Sequence, residues 1–211
     1  LECRRNNSFK LIKMINNLFP TPVYYSSIDE EILKRLQKDI TEYVKNNGDL
    51  FKTAVWKCNT ETNIFCEEKK AFFPEYLKDT IFKHTSEYLV ECGFKPRPFY
   101  VEDCWITLGG DGAYQELHDH LGAGSTSNGF SSVLYISIDK NKGGEFVIQS
   151  PIDVLAKLLP ESENELLAPQ IHIEPQEGMM VSFPAWLKHG SLQYKSTEKK
   201  RISISWNINF N

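Results

Sequence analysis

The chain has 211 residues, the length of one ordinary domain or two small ones. It is 41% hydrophobic and 25% charged, which excludes a disordered polymer, and its formal charge of −4 argues against nonspecific nucleic-acid binding, which draws on a strongly basic field. Its five cysteines are an odd number without C-x-x-C spacing, so neither a disulfide framework nor a zinc ribbon is indicated, and a reducing, cytoplasmic setting is expected.

Residues 1–15 carry basic side chains and no signal-peptide core, and are expected to be an appended or disordered tail, with residues 16–211 forming a single domain. No run of about 18 apolar residues offers a membrane span. Asn16 to Tyr25 reads as an edge strand, because Pro20 and Pro22 cannot donate to a ladder. Ser27 and Glu30 form an S-x-x-E capping pattern ahead of a helical stripe: Ile28, Ile32, Leu33, Leu36, Ile40, Tyr43 and Val44, with Gly48 as the stop. A second helix begins near Pro74, shows Leu77, Ile81, Phe82, Tyr88, Leu89 and Cys92 on one face, and ends at Gly93. Thr53 to Phe65 is a weak strand-and-loop region.

After Pro98 the period changes from helical to alternating. Phe99–Leu108, Ser131–Ile138, Glu145–Gln149, Gln170–Ile173, Met179–Phe183, Gly190–Tyr194 and Arg201–Phe210 read as strands separated by Gly, Asn and Lys-Ser turns. Pro151 to Pro169 is an insert that could hold a short helix or a lid. Helices first and antiparallel strands afterwards make an α+β chain with a β-sandwich or jelly-roll half, the helices covering one outer face of the major sheet.

Five histidines occur, and two of them stand in His118-Asp119-His120. In extended backbone, residues two apart point the same way, so both imidazoles would face one side and could share a metal. His189, directly before a strand and between Trp186 and Leu192, supplies a third ligand; an apolar surrounding favours its neutral, metal-competent form. Taken singly, the pair also fits two solvated loop side chains, and His189 a packed one. His84 and His172 read as structural. On the last strand, Arg201, Ser203 and Ser205 alternate with Ile202, Ile204 and Trp206. A buried guanidinium there calls for a planar anion such as a carboxylate, with Ser203 as a further donor; an exposed face continuing Lys199-Lys200 is the other reading. The strand carrying Arg201 is expected to form a hairpin with the one His189 precedes.

These motifs together resemble those of the 2-oxoglutarate- and Fe(II)-dependent oxygenases. The resemblance spans most of the chain after Asn16 and is strongest from Tyr114 to Asn209. It includes His118-x-His120, Ser132-Val133-Leu134-Tyr135-Ile136, Lys142-Gly143-Gly144-Glu145-Phe146 and Pro175-x-Glu177-Gly178. It continues through Phe183-Pro184-x-Trp186-Leu187-x-His189-Gly190 and Arg201-Ile202-Ser203-Ile204-Ser205-x-Asn207. Asn17 to Val23 is similar to the start of a branch rich in phage and marine bacterial sequences.

The resemblance implies a double-stranded β-helix, or jelly roll, with iron at its mouth. His118, His120 and His189 would hold Fe(II), and 2-oxoglutarate would chelate it. The far carboxylate would pair with Arg201 and Ser203, with Tyr135 as a donor like the tyrosine of some prolyl hydroxylases. With O2, the implied reaction hydroxylates a small-molecule or peptide substrate and releases succinate and CO2. The usual pattern is H-x-D or H-x-E, so His120 in place of the acid is a departure, and Asp119 is the fallback ligand. Trp105, Phe183 and Trp186 could supply a dry wall, and the Gly122–Gly129 loop a lid. Rival readings are a three-histidine cupin-like metalloprotein, a noncatalytic β-sandwich binding domain, and a zinc hydrolase using Glu116 or Asp119 as base. The sequence names neither the prime substrate nor the oligomeric state.

Overall fold

The computed structural model describes residues 20–53, 60–62, 72–121, 129–152 and 168–210. The tail, the loop at 122–128 and residues 153–167 of the insert lie outside these residues. Among the described residues, two helices, α1 (Glu30–Asn46) and α2 (Glu75–Glu91), are set among eleven strands. The strands are β1 (Tyr24–Ser27), β2 (Lys52–Thr53), β3 (Thr60–Thr62), β4 (Phe99–Gly109), β5 (Gln115–His118) and β6 (Phe130–Ser137). They continue with β7 (Phe146–Gln149), β8 (Gln170–Ile173), β9 (Met179–Pro184), β10 (His189–Ser191) and β11 (Arg201–Phe210). A 3-10 turn at Gly48–Leu50 follows α1. No described helix is long and apolar enough to cross a membrane.

The strands form two antiparallel sheets. One has seven strands in the order β1-β9-β6-β11-β4-β3-β2, and the other four in the order β5-β10-β7-β8. One core cluster joins Leu36 and Ile40 of α1 and Leu77, Ile81, Tyr88 and Leu89 of α2 to sheet residues. Its sheet members include Ile106, Leu134, Ile136, Met180, Ile204 and Trp206. A second cluster lies between the sheets and joins Val133, Tyr135, Val181 and Phe183 to Phe146, Ile148 and Leu187. β6 contributes to both. Its simple alternation would leave one face wet, yet all but its last residue are buried, because it is covered from both sides.

Three local expectations need correction. The S-x-x-E box does not form: Ser27 stays in β1, paired with Met179 of β9, and Asp29 is the N-cap of α1. The ladder claims Ser27 before the helix can, while Glu30 and Glu31 in the first turn still suit the helix dipole. Among the described residues the edge strand spans Tyr24–Ser27 and pairs only with β9; residues 16–19 of the expected strand lie outside them. Finally, β10 and β11 are not a hairpin. β11 pairs with β4 and β6 in the large sheet, and β10 with β5 and β7 in the small one. The chain crosses between sheets near Tyr194, so His189 and Arg201 reach one space from opposite walls.

Candidate active site

β5 and β10 pair antiparallel with His118 directly opposite His189. Gly190 makes this approach possible, since a Cβ there would meet the Gln115 carbonyl oxygen at 2.7 Å. Just beyond β5, the His120 amide donates to the Ala185 oxygen at 2.9 Å, which ties the segment back toward the end of β9. The three imidazoles therefore converge, with ring centroids 4.4 Å apart for His118–His189, 5.0 Å for His120–His189 and 5.3 Å for His118–His120. Their ligand atoms lie within 4.8 Å of one another. Among the described residues no other His, Cys, Asp and Glu group meets that criterion. His84 contacts Ser26 and Glu87 instead, and His172 is exposed on β8.

The hydrogen bonds on the far side of each ring decide which nitrogen faces the cluster. His118 Nδ1 is 2.9 Å from the Glu116 carbonyl oxygen, His189 Nδ1 is 2.8 Å from the Leu187 oxygen, and His120 Nδ1 is 2.7 Å from Asn207 Oδ1. Each partner is an acceptor only, so each Nδ1 carries the proton and each Nε2 presents a lone pair. The Nε2 atoms of His118 and His120 stand 3.3 Å apart with no proton to share between them. Opposed lone pairs at that distance suit a cation between them. Burial, the main cause, pushes all three imidazoles below the usual histidine range, furthest for His189, where the neighbouring rings add to the effect.

Asp119 does not join the cluster. Its Oδ1 instead accepts the Leu121 amide at 3.1 Å in a local turn, and the convergent group is the three histidines alone. The dry surroundings of His189 are also not those expected: Trp186 is 43% and Leu192 41% exposed. Phe183 and Phe146 stand against its ring instead, with centroids at 4.4 and 5.5 Å.

The rings form one end of a cavity of about 490 Å³, its open mouth included. Arg201, Ser203 and Tyr135 line the same space, so the six residues that the resemblance assigns to iron and 2-oxoglutarate share it, while Asp119 and Trp186 do not. Ser203 sits opposite Tyr135 of β6 on one side and Thr107 of β4 on the other. Arg201 is buried, and its Nη1 donates to the Gly144 carbonyl oxygen at 3.3 Å. Gly144 has φ +80, and a Cβ there would meet the guanidinium at 3.4 Å and the Tyr194 ring at 3.3 Å. Burial raises the Tyr135 phenol to about 12, offset in part by the Arg201 charge, so it remains a donor at neutral pH. Ser191 Oγ, on the opposite wall, is buried without a hydrogen-bond partner.

The sequence reading missed two contributors. Asn207 holds His120 as described and donates from Nδ2 to Asp103 Oδ2 at 3.4 Å. Its parity with Arg201, Ser203 and Ser205 was the available signal. Gln115 opens β5, a strand too polar to stand out, and its Nε2 lies 3.3 Å from His118 Nε2.

Residues 103–207 match the family model described as "Putative 2OG-Fe(II) oxygenase", a span containing every residue of the cluster and cavity named above. No curated protein matches the chain. A prolyl-4-hydroxylase from Pseudomonas putida is similar in structure, with a TM-score of 0.64 at 12% identity over 90% of this chain and 94% of that one. The viral collagen prolyl hydroxylase of Paramecium bursaria Chlorella virus-1 gives 0.55 at 18% identity, over 88% and 95% of the two chains. The 2-oxoglutarate-dependent epimerase SnoN of nogalamycin biosynthesis gives 0.63 at 10%, over 90% and 78%. At these identities the solved structures speak for the fold, a jelly roll, and the matched motifs carry the family: the chain belongs to the superfamily of oxygenases that use Fe(II), 2-oxoglutarate and O2.

Proposed function

We propose that the chain is a hydroxylase-type dioxygenase in which His118, His120 and His189 hold Fe(II) and Arg201, Ser203 and Tyr135 hold the distal carboxylate of 2-oxoglutarate. The observation that carries the reading is the two-ended cavity: three inward lone pairs at one end and a buried guanidinium with two hydroxyl-bearing neighbours at the other. The donor set fits Fe(II), since imidazole nitrogens are ordinary ligands of non-haem iron. When bound, iron and 2-oxoglutarate would supply oxidative decarboxylation, in which 2-oxoglutarate, O2 and a substrate C–H bond give succinate, CO2 and an alcohol, one oxygen atom going to succinate and the other to the alcohol.

The chain's own residues perform the binding. A buried guanidinium is costly unless a planar anion meets it, so Arg201 selects a carboxylate. Tyr135 stays protonated and can donate to the same group. Val133 and Phe183, on the cavity wall, exclude water near the rings. The substrate is proposed to be a small molecule or peptide, because the net charge of −4 gives a nucleic acid no general attraction.

The test is an anaerobic titration with Fe(II) and then 2-oxoglutarate, followed through the weak visible charge-transfer band of the chelate. The band should appear, and Arg201→Ala should weaken 2-oxoglutarate binding by about 2–5 kcal/mol. Iron binding without the band would favour a three-histidine cupin-type site, and no iron binding a noncatalytic domain. Succinate release across a panel of amino acids and peptides then tests the hydroxylase assignment.

A further inference from the structure

We infer that Gln115 binds the α-keto acid head of 2-oxoglutarate, and that in the metal-free protein its side chain occupies the lone pair that the metal takes. The inference rests on the metal and 2-oxoglutarate reading above and adds a contact at the end of the cavity opposite Arg201.

The geometry allows one assignment of the hydrogen bond between Gln115 and His118. His118 Nδ1 faces the carbonyl oxygen of Glu116 at 2.9 Å, which can only accept. The proton is therefore on Nδ1, and Nε2 is an acceptor. The side-chain nitrogen of Gln115 can only donate, and it lies 3.3 Å from that Nε2. The same Nε2 is one of the three atoms converging on the cluster. A metal ion and the Gln115 amide thus compete for one lone pair.

When the ion takes it, the Gln115 N–H loses its acceptor at the edge of the ion's surroundings. Gln115 lines the cavity, and its cross-strand partner Ser191 has a buried hydroxyl that is likewise without a partner. These two side chains place neutral donors on the wall facing Arg201. The acceptor that suits them is an oxygen-rich anion on the open side of the metal, as an α-keto acid provides. Hydrogen bonds to a carboxylate are shorter and about twice as strong as neutral ones, so the exchange favours the loaded state. In a site whose three ligands are all neutral, such donors help to position the anion that carries the balancing charge.

This predicts effects of opposite sign, which a merely structural role does not give. In the full chain, Gln115→Leu should bind Fe(II) alone as tightly as wild type or a few-fold tighter, because a competitor for Nε2 is gone. The same variant loaded with Fe(II) should bind 2-oxoglutarate at least about tenfold more weakly. Pyruvate, which has the same head and no distal carboxylate, should lose the same factor, whereas Arg201→Ala should spare pyruvate. Gln115→Glu guards against a folding defect in the leucine variant: it keeps the shape, cannot donate when ionised and repels the anion, so it should strengthen metal binding and weaken 2-oxoglutarate further. Anaerobic calorimetry reads both affinities. If 2-oxoglutarate affinity in both variants stays within twofold of wild type, or if metal and 2-oxoglutarate affinities fall together, the inference is overturned. Wild-type protein that binds no Fe(II) would instead remove the reading beneath it.

Discussion

The two faces of β11 do different work with alternate residues of one strand. Ile204, Trp206 and Ile208 enter the cluster shared with the helices and are fully buried. Arg201, Ser203 and Ser205 line the cavity, and Asn207 supports one of its rings. The apolar face is held by area and shape, which many residue sets could satisfy. The polar face is held by specific acceptors and charges, which few could. Stability and ligand binding should therefore separate by parity. The largest effect tests that separation: Ile204→Ala removes a fully buried side chain and should cost about 2–5 kcal/mol of unfolding free energy. Denaturant titration measures it. Fe(II) and 2-oxoglutarate affinities of the folded protein should be unchanged, and a parallel fall in either would show that the faces are coupled.

The complementary change leaves the core intact and touches only the polar face. Asn207→Leu keeps roughly the volume but removes the acceptor 2.7 Å from His120 Nδ1. The proton that fixes the tautomer then has lost this partner, and Asp103 loses the Nδ2 donor at 3.4 Å. Such supporting partners typically contribute 10–100-fold to metal affinity, about 1.4–2.7 kcal/mol, and a loss of that size is expected in an anaerobic Fe(II) titration. Asp103→Asn should cost less, since the Asn207 amide remains but no longer has a carboxylate to orient it. Metal affinity within twofold of wild type in Asn207→Leu would mean that His120 is held by its other contacts.

The alternation that divides these faces is the part of the molecule most legible in the sequence. Period-two patterning places Arg201 and Ser203 on one side because the pleat enforces it, whatever the sheet order. His118 and His120 follow the same logic, although His120 lies past the end of β5 and reaches the cluster through the His120–Ala185 bond. What the sequence could not convey is which strands face each other. Turn residues around Lys195 and Ser196 signal a reversal but not a change of sheet, so the expected hairpin is instead a crossing. The same limit explains the wall of His189. Neighbours in sequence, Trp186 and Leu192, are largely exposed, and the rings that cover it come from β7 and β9. Asn207 shows the parity of Arg201, but its role was readable only once the strands were placed, because its partner His120 comes from a distant segment, whereas Gln115, three residues before His118, was hidden by the polar character of β5.

The polar face also carries the smallest expected effect, a pH dependence that the apolar face cannot have. His189 binds a proton more weakly in the folded protein than at the ordinary value of 6.5, first because it is buried and then because His118 and His120 stand beside it. The groups packed against it are these two rings and the apolar Phe146 and Phe183, and the Leu187 carbonyl oxygen, which does favour an imidazolium, is outweighed by burial and the two rings. The unfolded chain therefore takes up the proton first as pH falls. The contribution to stability is fully present above about 6.5 and is lost as pH drops from there toward the folded-state value. His118 and His120 act in the same direction. Metal-free protein held in chelator should accordingly lose stability between pH 7.5 and 5.5. His189→Gln cannot take up that proton on unfolding, and its stability should fall less steeply, by up to about 1.4 kcal/mol per pH unit. An identical slope in the variant would mean that His189 is protonated as readily inside the fold as outside it. In that case its Nε2 would not be a standing lone pair, and the neutral three-ring arrangement would have to form only as metal arrives.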